Sequence, residues 1–186
     1  MQTDAVKAAT LEGMDAVMTD VPKVCVSVST ADCIPILIYD RVHHAVAAVH
    51  AGWRSTVLRI SEAVLQAMAG AYGTRPQDVE AAIGPGISLE AFEVGDEVYE
   101  AFRIAGFPME EMARRYPATG DGSGRMEKWH LDLWQANRGL LEGCGVPSAR
   151  IHLAGVCTYL HSERFFSARR LGIRSGRILN GIFLTD

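Results

Sequence analysis

The chain has 186 residues, of which 48% are hydrophobic and 22% are charged, and its formal net charge at pH 7 is −4. This length corresponds to one domain, and this composition excludes a disordered, collagen-like or coiled-coil protein. An acidic chain is not expected to bind duplex nucleic acid, and no apolar segment approaches the roughly 18 residues of a membrane-spanning helix.

The first predicted elements are β-strands. Alternation of apolar and polar residues predicts a half-buried strand from residue 24 to residue 29. Two apolar runs, 34–39 and 45–49, flank a polar turn at 40–44 and predict a hairpin of buried strands.

Helices and further strands follow along the chain. Apolar residues spaced by three and four predict three helices, over residues 55–72, 96–105 and 132–144. Apolar segments predict three more strands, at residues 79–83, 151–156 and 178–184, the last two in the interior. Strands near both ends with helices between them predict an α+β (mixed α/β) fold. In this fold, mixed β-sheets are layered with outer helices in a single domain.

The four cysteines lie in a chain with no recognisable signal peptide, and this predicts a cytoplasmic protein. Disulfides rarely persist in a reducing compartment, so each cysteine is expected to be a buried apolar residue, a metal ligand or a nucleophile. Three of them are expected in the core: Cys25, Cys144 and Cys157.

The remaining cysteine, Cys33, opens the first strand of the predicted hairpin, and His50 follows the second strand. The two residues lie at nearly equal distances along the chain from the centre of the turn, so antiparallel pairing of the strands brings their side chains together. A thiolate and an imidazole in contact could bind zinc or form a Cys–His nucleophile pair. The alternative is a buried cysteine beside a histidine without a chemical role. Gly52 would let the chain turn sharply and leave the Arg54 guanidinium free.

A basic segment lies near the C-terminus of this acidic chain. Its arginines, with no acidic residue between them, are Arg164, Arg169, Arg170, Arg174 and Arg177. Aromatic residues and Ser167 interleave with these arginines, so one face is expected to be buried while the other offers guanidinium groups to a small anion. The alternative is an ordinary solvated surface.

Several short motifs, taken in their order, resemble one known family. They are Asp-Cys-x-Pro (32–35), His-Ala-Gly-Trp-Arg (50–54), Ile-Gly-Pro-x-Ile (83–87), Phe-Glu-Val-Gly-Asp-Glu-Val (92–98), Asp-Leu-Trp-x-Ala-Asn (132–137), Cys-Thr (157–158) and Phe-Phe-Ser-x-Arg-Arg (165–170). From about Gly13 onward the chain is similar to the multicopper polyphenol oxidase (laccase-like) family, whose members are also described as zinc-dependent purine nucleoside phosphorylases.

The resemblance implies a mononuclear metal site of two histidines and one cysteine, of which Cys33 and His50 match two. In the family the other histidine lies in an upstream Gln-x-His-Gly-like segment, whereas no histidine precedes His43 in this sequence. The resemblance therefore implies that residues 1–186 form a single domain that lacks its N-terminal part or has lost this ligand.

The resemblance also implies an activity. The implied reaction is phosphorolysis of adenosine, inosine, guanosine or methylthioadenosine, with adenosine deamination as a companion reaction. Zinc on Cys33 and His50 could polarise water or a substrate oxygen, with Asp32 as general base or ligand orienter. Arg54 is assigned to both catalysis and phosphate binding. The residues assigned to substrate and phosphate are Arg54, Ser167, Arg169, Arg170 and His161.

Other functions stay open at this point. One is copper-dependent polyphenol oxidation, as in a laccase, although six histidines without a His-x-His pair are too few for a conventional multicopper centre. Another is a Cys–His thiol hydrolase, and a third is a metal-binding domain without catalysis. The oligomeric state is also left open.

Overall fold

The computed structural model describes residues 13–117 and 127–185. The strands are β1 (Ala16–Thr19), β2 (Val26–Thr30), β3 (Ile34–Asp40), β4 (Ala45–Ala51), β5 (Val79–Ile83), β6 (Glu93–Val94), β7 (Ala113–Pro117), β8 (Glu127–Leu131), β9 (Ile151–Leu153) and β10 (Ile178–Ile182). The helices are α1 (Trp53–Val57), α2 (Ile60–Tyr72), α3 (Asp96–Ile104), α4 (Met109–Met112), α5 (Leu133–Gly143) and α6 (Ala168–Leu171). Among these residues, no helix is long and apolar enough to cross a membrane. The predicted α+β single domain is confirmed.

A central sheet of five strands, in the order β1-β4-β3-β5-β9, carries the predicted β3–β4 hairpin. Its strands are antiparallel except β9, which runs parallel to β5. Even-numbered residues of β3, such as Ile34 and Ile36, point into the main core, where they pack with Val64 and Met68 of α2. Because side chains alternate along a strand, the odd-numbered residues of β3 point to the opposite face.

That opposite face is covered by a two-stranded ribbon, in which β10 pairs antiparallel with β2. Val26 and Val28 pack on Val46 and Ala48 of β4 and form a second, smaller apolar cluster. The prediction that residues 178–184 form an interior strand is wrong, because the outer face of the ribbon is uncovered and Leu179 is 74% exposed.

The cysteines predicted for the core differ in their burial. Cys157 is buried as predicted, and Cys144 is half-buried. Cys25 is exposed, so its prediction is wrong. It lies one residue before β2 on the outer side of the ribbon, where its Sγ would be 3.0 Å from a Cβ added at Gly181.

The helix predicted over residues 55–72 is two helices. Helix α1 ends at Val57 and α2 begins at Ile60, because Arg59 between them takes a left-handed conformation with φ 59°. This conformation is uncommon for residues other than glycine. The Arg59 guanidinium donates to Glu62 Oε1 at 2.5 Å and to the Ala105 carbonyl at 3.2 Å, and these contacts hold the break.

A three-stranded antiparallel sheet in the order β6-β8-β7 was not predicted. Its strands are short and rich in charged residues, so the apolar alternation that indicates a strand is absent. Packing against α3 stabilises it, since the rings of Tyr99 and Trp129 stack with their centroids 4.0 Å apart. The Arg115 guanidinium lies 4.5 Å from the centroid of the Trp129 ring.

Candidate functional site

Cys33 and His50 lie at one end of the β3–β4 hairpin. The register pairs Ile34 with Ala51 and Pro35 with His50, so the side chains at positions 33 and 50 leave the same face of the sheet. A hydrogen bond with the Cys33 sulfur is the largest contribution that raises the pKa of His50 to about 9; burial opposes it and Asp15 adds to it. The structure therefore brings together the two residues assigned to the metal.

The residue that leaves room for this pair is Gly52, the N-cap of α1. A Cβ added at Gly52 would lie 3.2 Å from Cys33 Sγ and 3.6 Å from His50 Cε1. A side chain at this position would therefore crowd both groups. The predicted sharp turn after β4 is thus accompanied by a close approach to the cysteine.

Asp15 orients the His50 ring, and sequence analysis missed it. His50 Nδ1 donates to Asp15 Oδ1 at 2.9 Å, and the Ser55 hydroxyl donates to the other carboxylate oxygen. Burial by itself raises the pKa of Asp15, but the hydrogen bonds from Ser55 and His50 outweigh burial and hold the pKa below its usual value. Because Nδ1 is bound, Nε2 is the nitrogen that remains for a metal ion or a proton.

No sequence signal marked Asp15, because β1 has no clear alternation. Pairing of β1 with β4 places Ala16 opposite Val49, and the main-chain N–H of His50 donates to the Asp15 carbonyl at 2.7 Å. The carboxylate is thereby fixed beside the imidazole by the sheet itself. Asp15 could have been identified only if the pairing register of β1 with β4 had been known.

The Cys33–His50 pair offers the sulfur and nitrogen donors that zinc prefers. A carboxylate on the other nitrogen of a zinc-bound histidine is also a usual arrangement. Within residues 13–117 and 127–185, no group of three or more His, Cys, Asp or Glu side chains is arranged to hold a metal ion. The pair therefore fits two positions of a zinc site that needs at least one ligand more.

Asp32 has both carboxylate oxygens bound by the late part of the chain. Thr158 Oγ1 donates to Oδ1 at 2.7 Å, and the main-chain N–H of Arg169 donates to Oδ2 at 2.7 Å. Asp32 is 8% exposed and has φ 85°. This geometry favours a role in positioning the segment around Arg169 over that of a general base.

The arginines assigned to phosphate are exposed and rest on aromatic rings. The Arg54 guanidinium lies 4.2 Å from the centroid of the Trp53 ring, and that of Arg170 lies 5.2 Å from the Tyr159 ring. Arg169 Nη1 donates to a main-chain carbonyl on β6 at 2.9 Å. Of these three arginines, Arg169 is tied to the Cys33 strand, through its main-chain bond to Asp32.

The other two residues assigned to substrate differ in their surroundings. Ser167 is fully buried, and its hydroxyl accepts a hydrogen bond from the main-chain N–H of Arg170 at 3.1 Å as the N-cap of α6. His161 is exposed, and its Nδ1 lies 3.6 Å from Glu163 Oε1. Ser167 therefore shapes the arginine segment from inside, whereas His161 faces solvent.

Replacement of Asp15 by asparagine is expected to weaken zinc binding by about 10- to 100-fold, because an amide cannot stabilise the positive charge that develops on a metal-bound imidazole. Calorimetric titration of zinc into the metal-free chain measures this change. The matched control is Glu80→Gln, since Glu80 Oε1 contacts His152 Nε2 at 2.8 Å on the exposed side of the same sheet. Equal losses in the two variants would contradict the role of Asp15.

Comparisons with known proteins agree with the motifs. The profile of a family described as "Multi-copper polyphenol oxidoreductase laccase" matches residues 1–185. A protein of Bacteroides thetaiotaomicron named purine nucleoside phosphorylase is 52% identical over 94% of this chain and 62% of its own length. A protein of an unknown prokaryotic organism named adenosine deaminase RL5 is 46% identical over 94% of this chain and 64% of its own length.

The fold matches a solved structure. The crystal structure of the Bacillus licheniformis hypothetical protein YfiH superimposes with a TM-score of 0.82 at 30% identity, covering 91% of this chain and 61% of that chain. The chain thus spans 61 to 64% of the length of these three proteins.

Proposed function

The chain belongs to the multi-copper polyphenol oxidoreductase laccase family, and from this premise we propose that it acts as a zinc-dependent purine nucleoside phosphorylase with adenosine deaminase activity. The proposed substrates are adenosine, inosine, guanosine or methylthioadenosine, together with phosphate. The names of two relatives support this assignment. Within the chain, the observation that carries it is the Cys33–His50 pair with the Asp15 carboxylate on the far nitrogen of the imidazole.

Each residue near the pair has a proposed task. Cys33 and His50 would hold zinc, which would supply a Lewis acid for a water molecule or a substrate oxygen. Asp15 keeps the Nε2 atom of His50 available by holding Nδ1. Asp32 anchors the main chain of Arg169 beside the strand that follows Cys33.

The arginines are proposed to hold phosphate while the bond from ribose C1′ to the purine nitrogen breaks and a phosphate oxygen takes its place. A guanidinium group binds a phosphate through paired hydrogen bonds, and contact with an aromatic ring restricts its orientation beforehand. Arg54 on Trp53 and Arg170 on Tyr159 have this arrangement. Deamination instead uses water and releases ammonia, so it does not need these arginines for a second substrate.

Arg54→Lys and Arg170→Lys are therefore expected to raise the apparent KM for phosphate roughly 10-fold each, because lysine keeps the charge but loses the paired hydrogen bonds. Deamination of adenosine should change much less. Both rates are measured by chromatography of the free base and of inosine. Arg138→Lys is the control, because Arg138 pairs with Glu142 on α5. Equal losses in both reactions would assign these arginines to the nucleoside or to the fold.

One experiment tests the function as a whole. Incubation with a purine nucleoside should release free base only when phosphate and zinc are both present. Copper-dependent oxygen consumption with a phenol, without base release, would instead support the laccase alternative.

A thiol hydrolase is the second candidate, because contact with an imidazole is also what activates a nucleophilic cysteine. The contact between Cys33 and His50 favours it. Hydrolysis that persists in a chelator and stops after alkylation of Cys33 would support this candidate over the phosphorylase.

A further inference from the structure

The serine that follows Arg54 in α1 has an uncommon hydrogen-bond partner. Ser55 is 8% exposed, and its hydroxyl donates to Asp15 Oδ2, a residue 40 positions away in the sequence. A serine inside a helix commonly donates to a main-chain carbonyl one turn earlier or to water. Because a hydroxyl has a single hydrogen atom to donate, the bond to Asp15 takes the place of both. Ser55 therefore connects α1 to the residue that holds the His50 ring.

The Asp15 side chain needs such a connection because it lies partly in solvent. Its side chain is 44% exposed, whereas that of His50 is 30% exposed. The main chain of Asp15 is fixed, since its carbonyl accepts a hydrogen bond from the His50 N–H at 2.7 Å, but this bond leaves the side-chain torsions free. An exposed carboxylate gains entropy and hydration by turning toward water. The bond from Ser55 opposes this rotation.

Helix α1 is a firm support for the Ser55 hydroxyl. The next residue, Thr56, is fully buried, and its hydroxyl accepts a hydrogen bond from Asn137 Nδ2 of α5 at 3.0 Å. Asn137 Oδ1 in turn accepts from the Ser61 hydroxyl of α2 at 3.1 Å. These buried bonds tie α1 to both neighbouring helices. A group that orients another is effective only when it is itself held in place, and Ser55 meets this condition.

We propose that Ser55 is a positioning residue, whose hydroxyl holds the Asp15 carboxylate in the rotamer that binds His50 Nδ1. Without this hydroxyl the carboxylate turns toward water, and the imidazole loses the partner that fixes its ring plane. The Nε2 atom of His50 is then no longer kept in one place for a metal ion. The effect on zinc and on catalysis rests on the proposed function, whereas the orientation of the ring does not.

Proton NMR of the metal-free chain tests the orientation without zinc or substrate. At one fixed pH, the Nδ1–H of His50 bound to Asp15 should give a downfield resonance that exchanges slowly with water. In Ser55→Ala this resonance should move upfield and exchange roughly 10-fold faster, because one hydrogen bond that holds the acceptor is gone. A resonance with unchanged position and exchange rate would overturn the proposal.

Calorimetric titration with zinc measures the consequence for the metal. Ser55→Ala is expected to weaken zinc binding about three- to tenfold, which is less than the loss in Asp15→Asn, because Ser55 acts one contact further from the metal.

Ser61→Ala is the matched control for both measurements. It also removes a buried serine hydroxyl, and it loosens the Asn137 support of α1 while the contact between Ser55 and Asp15 stays in place. It should change zinc affinity less than about twofold and leave the His50 resonance unchanged. Equal changes in Ser55→Ala and Ser61→Ala would mean a general loosening of the helix and would overturn the proposal.

A double variant shows whether Ser55 acts through Asp15. Once the carboxylate is removed by Asp15→Ala, the Ser55 hydroxyl has nothing to position. Addition of Ser55→Ala should therefore weaken zinc binding less than about twofold further. Losses that multiply would mean that Ser55 influences the site by another route, and they would overturn the proposal.

Absence of phosphorolysis in the parent chain would refute the proposed function and leave the positioning role testable. If the parent chain also bound no zinc, the His50 Nδ1–H resonance would decide by itself. Faster exchange in Ser55→Ala, with slow exchange kept in Ser61→Ala, would support the positioning role. Slow exchange in both variants would overturn it.

Discussion

Replacement of Cys33 by alanine is expected to abolish zinc binding and to lower kcat/KM of both proposed reactions by at least about 100-fold. Loss of a group that merely orients a zinc ligand costs about 10- to 100-fold, so loss of the ligand itself should cost more. The effect is large because His50 would be left as the single protein ligand of the pair. The parent chain is itself expected to bind zinc substoichiometrically, since two protein ligands hold zinc more weakly than three.

Elemental analysis after dialysis and an assay of base release measure the two effects of Cys33→Ala. Cys25→Ala is the matched control, because Cys25 is also a free cysteine but is exposed on the outer side of the ribbon. One tightly held zinc per chain, unchanged in Cys33→Ala, would contradict the assignment of Cys33 to the metal.

Replacement of Asp32 by glycine is expected to lower the free energy of unfolding by about 3 kcal/mol. The buried carboxylate accepts hydrogen bonds from Thr158 and from the main chain of Arg169, and bonds to a charged group contribute about 1.5 to 3 kcal/mol each. Glycine tolerates the φ of 85° at this position, so the substitution adds no backbone strain to the loss of the carboxylate. Asp32→Ala should cost about 1 kcal/mol more, because a Cβ disfavours that conformation.

Denaturant unfolding of the two Asp32 variants measures both differences. Asp20→Gly, at an exposed position before β2, is the control and should change stability little. If Asp32→Gly were as stable as the parent chain, water would be replacing both hydrogen bonds, and the carboxylate would not anchor the Arg169 segment.

The elements predicted best from the sequence are those in which local patterns determine the structure. The strand predicted at residues 79–83 is β5, and Asp132 caps α5 by accepting a hydrogen bond from the Gln135 main-chain N–H at 2.9 Å. Apolar alternation and capping residues encode such features within a few positions. The break at Arg59 escaped prediction because the apolar spacing continues across it and distant contacts hold it.

In the candidate site, too, local contacts could be predicted from the sequence and distant contacts could not. Proximity of Cys33 and His50 could be predicted, because one hairpin carries both residues. The contact between Asp32 and Thr158 spans 126 positions, and the one between Asp32 and Arg169 spans 137. No periodic pattern encodes such pairings. The family motifs indicated that these segments matter, but not that Asp32 binds the late segment through its carboxylate.

The pairing of β2 with β10 bears on the order in which the chain folds. Ile178 lies opposite Thr30 in this ribbon, so the strands that meet there come from opposite ends of the described chain. The β3–β4 hairpin closes a short loop and can form early, whereas closure of a loop of this length is slow. During synthesis β2 can therefore pair with β10 only after all the residues between them have been made, so the smaller apolar cluster on β4 is completed after the β3–β4 hairpin has formed.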